Sequence, residues 1–213
     1  MKNNFIYIFN LRLIPILFLC TVWIIKGYEY IYNTTFTNFA IKPGDVNSLY
    51  NIFTFPFIHA DFSHLLNNTF PLIVLSFIIV SVYKKIATKI FVYSYILSGI
   101  IFWFIGDLTP VIGSSGIVYS LGSFILVSGF IKNQPRLAIL SFLVIFLNFF
   151  NLWGIIEIKQ DNISQTAHLA GAISGMVLAI IFRKKGPQPK VYNYEIEEEI
   201  ERKNINYIYK KSS

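Results

Sequence analysis

All three histidines of this sequence, His59, His64 and His168, sit beside apolar runs, and so do Asn68 and the serine pair Ser114–Ser115. A serine hydroxyl attacks a carbonyl only when a neighbouring base takes its proton, and a neutral imidazole with a pKa of about 6.5 suits that task at neutral pH. His64 and Asn68 are four apart, so on a helix both donate hydrogen bonds into one space. Taken alone, such a pair more often satisfies bonds between helices. In GSSG, residues 113–116, two glycines flank the serines, and Pro110 precedes them. This composition predicts a non-helical approach to a helix that starts at Ser115. Such backbone is tolerated at membrane depth only where it lines protein or a wet cavity. A serine at a helix start is more often a cap than a nucleophile. The unpaired amides of the first turn have another use, as donors to an oxyanion.

The segment TAHLAGAISG, 166–175, places His168, Gly171 and Gly175 at i, i+3 and i+7, on one helical stripe beside Ala172. Small residues let another helix approach closely. If that neighbour is the helix starting at Ser115, His168 comes within hydrogen-bond reach of the serine; packing alone explains the stripe equally well. His59 falls in a loop, where a bond to backbone is expected rather than chemistry.

The elements that must position these residues follow from composition. With 54% apolar and 17% aromatic side chains among 213 residues and a mean hydropathy of +0.57, the chain is too apolar for an ordinary soluble domain. Six windows approach the roughly 17–25 residues that cross a bilayer: about 11–32, 64–83, 86–105, 115–131, 137–153 and 164–182. An all-α bundle of six transmembrane helices is expected over residues 1–183, followed by a charged tail, 184–213. The amino terminus resembles a signal peptide, but its apolar run continues to about Ile25 with no small-residue cleavage site, so a retained span is expected.

The net charge of +7 would suggest nucleic acid in a soluble protein, yet here the cations cluster at the ends of apolar runs. Lys2, Arg12, Lys84, Lys85, Lys89, Lys132, Arg136, Arg183, Lys184 and Lys185 fall on one side, expected to be cytoplasmic together with both termini. Outside the tail, the acids Glu29, Asp45, Asp61, Asp107, Glu157 and Asp161 fall on the opposite side; Lys26, Lys42 and Lys159 are exceptions there, and Lys26 can snorkel from a helix end. The second, fourth and sixth spans then all start at the outer face. His64 with Asn68, Ser115, and His168 therefore share one depth and can meet in a pocket open to that side. The connection Asn33 to Ser63, rich in aromatics such as Phe53, Phe55 and Phe57, is expected to lie partly in the membrane interface. Cys20 is the single cysteine, excluding an internal disulfide. Three histidines without suitably placed carboxylate or thiolate partners make a metal site improbable, and no cofactor is expected.

HADFSHLLNN (His59–Asn68), GSSG followed by Tyr119, and AHLAGAISG (Ala167–Gly175) resemble the H-x-x-x-x-H-x-x-x-N, G-x-S-G and A-H-x-x-G-x-x-x-G motifs of the rhomboid intramembrane serine proteases. Each motif alone is weak; three in order, in the required spans and on the required side, are specific. The resemblance covers about residues 11–183. It implies a Ser115–His168 dyad with no third acid, and an oxyanion hole made by His64, Asn68 and the Ser115 amide. It also implies that Tyr119 packs on the His168 ring, that Gly113 belongs to the loop around the hole, and that His59 is structural. Two positions depart from the pattern. Ser114 stands where Ala is frequent, and the first connection lacks the Trp-Arg pair of many members.

The activity so implied is endoproteolysis of transmembrane protein substrates in the lipid bilayer, through an acyl-enzyme. Substrates would enter sideways past the fifth span. The resemblance suits a compact six-helix protein of a bacterial inner membrane. Two rivals share the features. An inactive relative that binds membrane clients would have the same fold, but such relatives typically lose the serine or the histidine. A small transporter would carry its polar residues nearer the midplane.

Overall fold

A computed structural model of the chain describes residues 2–137, 139, 140, 164–187 and 200–202, with side chains from residue 13 onward. Among the described residues the long elements are five helices: α1 Lys2–Ile31, α2 Phe62–Tyr83, α3 Ala87–Ile105, α4 Ser115–Ile131 and α5 Gln165–Ile181. They coincide within a few residues with the expected first four spans and the sixth, apart from the earlier start of α1. Residues 135–137, 139 and 140 are helical, at the start of the expected fifth span; the remainder of that span lies outside the described residues, as does most of the tail.

Length separates these helices into two groups. Leu13–Ile31 and the continuous stretch Phe62–Ile105 are long and apolar enough to cross a bilayer, whereas α4 and α5 have 17 residues each. At 1.5 Å per residue each of these covers about 25 Å, less than the roughly 30 Å hydrocarbon core. The six-span bundle is therefore only partly met among the described residues. The shortfall has a physical reason: α4 starts only after the irregular segment 106–114 has descended into the fold.

That segment is held by backbone bonds. Ile41 and Val111 exchange N–H···O bonds of 3.0 and 2.9 Å, and Gly113 N–H donates to the Phe55 carbonyl at 2.9 Å. The first connection supplies both partners. It is ordered into 3₁₀ turns at Thr37–Phe39, Val46–Phe53 and Phe55–Phe57. Its polar groups turn inward: buried Asn51 donates to the Ala40 carbonyl at 2.8 Å, and buried Ser48 bonds the Lys42 and Asp45 carbonyls. Ile52 and Phe55 pack on α3 at Gly99, while Val46, Leu49, Tyr50 and Phe53 face outward. Polar groups inside and large apolar ones outside suit a segment whose surroundings are lipid.

The core lies where α4 packs, most extensively against α5 and less so against α2 and α3. Gly171 and Gly175 make the α4–α5 seam. A Cβ on Gly171 would collide with the Gly116 carbonyl oxygen, and one on Gly175 with the Ser120 carbonyl and the Ser123 hydroxyl. Ser123 Oγ donates across the seam to the Ala172 carbonyl at 2.8 Å, and Ser120 Oγ to Ser174 Oγ at 3.1 Å. At the far ends of both helices, buried Lys132 donates to the carbonyls of Arg183 and Lys185 at 2.8 and 2.7 Å, and Tyr83 bonds Ser128 at 2.8 Å. The described acids before the tail, Glu29, Asp45, Asp61 and Asp107, gather at the end where α2, α4 and α5 begin. Lys84, Lys85, Lys89, Lys132, Arg183, Lys184 and Lys185 gather at the other.

Candidate active site

The first turns of α2, α4 and α5 meet at the acidic end of the bundle. Asp61 caps α2 by accepting from the His64 amide at 2.7 Å, and Ser164 caps α5 by accepting from Ala167 at 3.2 Å. Both caps fix helix starts that carry site candidates, His64 three residues after Asp61 and His168 four after Ser164. Ser114 occupies the corresponding position before α4 yet makes no capping bond. Its N–H instead donates to His59 Nε2 at 3.4 Å, and its hydroxyl lies 3.3 Å from the same nitrogen. The cap reading of GSSG therefore fails, and the two serines divide. Ser114 is 2% exposed and engaged, whereas Ser115 is only partly buried and its hydroxyl makes no hydrogen bond among the described residues.

Gly113 has φ +110°, in the region that favours glycine, and a second constraint acts on the same atom. A Cβ there would lie 2.8 Å from His64 Cε1, 2.9 Å from His64 Nε2 and 3.9 Å from Asn68 Nδ2. His64 and Asn68 thus lean over the turn that leads into Ser115. Asn68 is 4% exposed and spends one amide proton on the His64 carbonyl at 3.0 Å. The amides of Ser115 and Gly116 belong to the first turn of α4 and have no intrahelical acceptor. His64 and Asn68 border the turn into α4, and each carries an N–H group of the kind that can donate to an oxyanion.

His168 is buried in the first turn of α5, and its ring stacks on Tyr119 with centroids 4.2 Å apart and planes 21° from parallel. Its Nδ1 is buried, and among the described residues neither a carboxylate nor any other hydrogen-bond partner reaches it. The residues flanking the candidate dyad meet across the seam: a Cβ on Gly116 would lie 3.9 Å from the Ala167 carbonyl oxygen. No hydrogen bond joins Ser115 to His168 among the described residues; such bonds are often long before substrate binds. Among the described residues, no cluster of three or more His, Cys, Asp or Glu side chains could hold a metal ion.

His59 lies within the fold at 2% exposure, its ring 5.0 Å from that of His64. Burial above all, then the neighbouring His64, lowers its pKa to about 3; a Phe57 backbone bond opposes this, and smaller effects of Lys26, which lowers it, and Asp61, which raises it, follow. It is neutral at physiological pH, free to accept the Ser114 N–H through Nε2. The expected bond from this histidine to backbone is present.

One group has a different role from the one its sequence suggests. Lys26 does not snorkel: its ammonium donates to Glu29 at 3.0 Å and to the carbonyls of His59 and Ala60 at 3.0 and 2.9 Å. Two opposite charges three apart near the C-terminal end of α1 are the available signal.

A family model described as Rhomboid domain matches residues 46–185, from the first connection to just past α5. Uncharacterized proteins of Mycobacterium bovis and Mycobacterium tuberculosis are each 28% identical over 149 residues, which is 66% of this chain and 62% of theirs. An uncharacterized protein of Mycobacterium leprae is 27% identical over 172 residues, 77% of this chain and 68% of its own. The chain thus spans less than two thirds of the length of the first two relatives.

Proposed function

Because the chain belongs to the rhomboid family of membrane proteins, we propose that it is an intramembrane serine endopeptidase in which Ser115 is the nucleophile and His168 the base. The observation that carries this reading is the division of labour in GSSG. One serine is tied to His59, while the next is only partly buried, follows a turn bordered by His64 and Asn68, and starts the helix packed on the one that bears His168.

In this mechanism His168 takes the Ser115 proton as Oγ attacks the scissile carbonyl. His64, Asn68 and the first amides of α4 hold the negative oxygen. His168 then protonates the leaving amine, and water entering from the acidic end of the bundle hydrolyses the acyl-enzyme. Stacking on Tyr119 orients the imidazole in the absence of an acid. Substrates are transmembrane proteins that reach the site from the lipid, past the expected fifth span. The basic end of the bundle faces the cytoplasm of a bacterial inner membrane.

The test is cleavage of a single-span substrate by protein in liposomes, with Ser115→Ala, Ser114→Ala and His168→Ala variants alongside. Loss of cleavage with Ser115 or His168 and retention without Ser114 supports the dyad. Wild-type protein that neither cleaves nor labels with a fluorophosphonate probe favours client binding instead.

A further inference from the structure

The first connection holds its last residues by a cation from a different helix. Lys26, near the outer end of α1, is mostly buried, and its ammonium uses three acceptors: Glu29 Oε2 and the carbonyls of His59 and Ala60. Glu29 is itself 5% exposed, and its second oxygen accepts the Phe36 amide at 2.7 Å. Every proton of the ammonium and both oxygens of the carboxylate are therefore engaged. A buried pair adds little net stability when it could be replaced by apolar side chains. Its value lies in what it orients.

What it orients is His59. The backbone of that residue is clamped by Lys26 and capped downstream by Asp61, while its ring receives Ser114 N–H and touches the His64 ring edge-on. A continuous set of contacts runs from Glu29 through Lys26, the His59 carbonyl and the His59 ring to the residue before Ser115. We propose that Lys26, held by Glu29, is a positioning residue for the oxyanion-binding turn, acting through the His59–Ser114 contact. It supplies from α1 a backbone clamp to a connection that carries no arginine of its own between Asn33 and Ser63. The proposal rests on the catalytic reading for its kinetic consequence, though its structural consequence does not.

Lys26→Met alone leaves Glu29 buried without its partner and is prone to misfold. The informative variant replaces the pair together, Lys26→Met with Glu29→Leu, which removes both desolvated charges and the clamp at once. Two measurements are made on this variant and wild type in the same liposomes. Hydrogen exchange is expected to accelerate several-fold in peptides covering 111–118, where the Ser114 amide lies, with α3 unchanged. Turnover of a single-span substrate is expected to fall about tenfold in kcat with KM nearly unchanged. Exchange that rises only around residues 26–36 and 58–61, with normal protection at 111–118, overturns the proposal whether or not the protein cleaves anything. A wild type without peptidase activity removes the catalytic reading alone, and the exchange result still decides for or against Lys26.

Discussion

Tyr119 and His168 stack ring on ring, at 4.2 Å between centroids, across the seam between α4 and α5. The tyrosine hydroxyl has no partner among the described residues, so the contact works through the ring face alone. Replacing Tyr119 by Phe is therefore expected to leave cleavage close to wild type. Tyr119→Ala is expected to lower kcat about tenfold by freeing the imidazole to rotate. Steady-state kinetics of the two variants side by side check this.

Asn68 and His64 both approach Gly113, so neither is expected to be indispensable. Asn68→Ala should lower kcat by about 10²-fold, as expected for loss of one oxyanion donor, with His64 and the α4 amides retaining the remainder. Unchanged kinetics in this variant would remove Asn68 from the mechanism.

The glycine seam leaves no room for a methyl group. Gly171→Ala drives a Cβ into the Gly116 carbonyl, immediately beside Ser115, and Gly175→Ala does the same one turn deeper against Ser120. Each is expected to cost about 1–3 kcal/mol through overpacking, read as a lower thermal midpoint in detergent. Gly171→Ala should also lose more activity than Gly175→Ala at equal destabilisation, since its displacement occurs beside the dyad.

His59 makes stability depend on pH. Its pKa falls from 6.5 in the unfolded chain to about 3 in the fold, so the neutral form is the folded one. The stabilisation is complete above pH 6.5 and is lost progressively as pH drops toward 3. His64 and Lys26, both facing the ring, act in the same direction, and Asp61 opposes them. The thermal midpoint is expected to fall between pH 7 and 4, and less steeply in His59→Gln than in wild type. Parallel slopes for the two proteins would show that the fold does not lower the pKa of His59.

The sequence made the helices legible where a charge or glycine ends an apolar run. Ser115–Ile131 is bounded by GSSG and Lys132 and coincides with the expected window of about 115–131. The three helix starts that meet at the site were legible too, because the direction of each span followed from the cations. Two kinds of feature were hidden. The fold of the first connection depends on bonds such as Asn51 to Ala40 and Gly113 to Phe55, whose partners no periodicity announces. For Lys26 the sequence offers the pairing with Glu29 three residues on, but not its other two acceptors, carbonyls 33 and 34 residues away that carry no sequence signal. Ser114 was ambiguous for a related reason: the choice between capping and binding His59 is made by tertiary structure.

Lys132 has a mechanical consequence. It ties the last turn of α4 to the carbonyls just beyond α5, while Gly171 and Gly175 lock the same two helices along their length. The pair behaves as a single stiff beam with the proposed nucleophile, Ser115, and the proposed base, His168, mounted on its two halves. A beam held in this way cannot hinge between them, so any gate that admits a guest must be hung elsewhere on the frame. Freedom to open and constancy of the reacting distance are thereby assigned to different parts of the molecule.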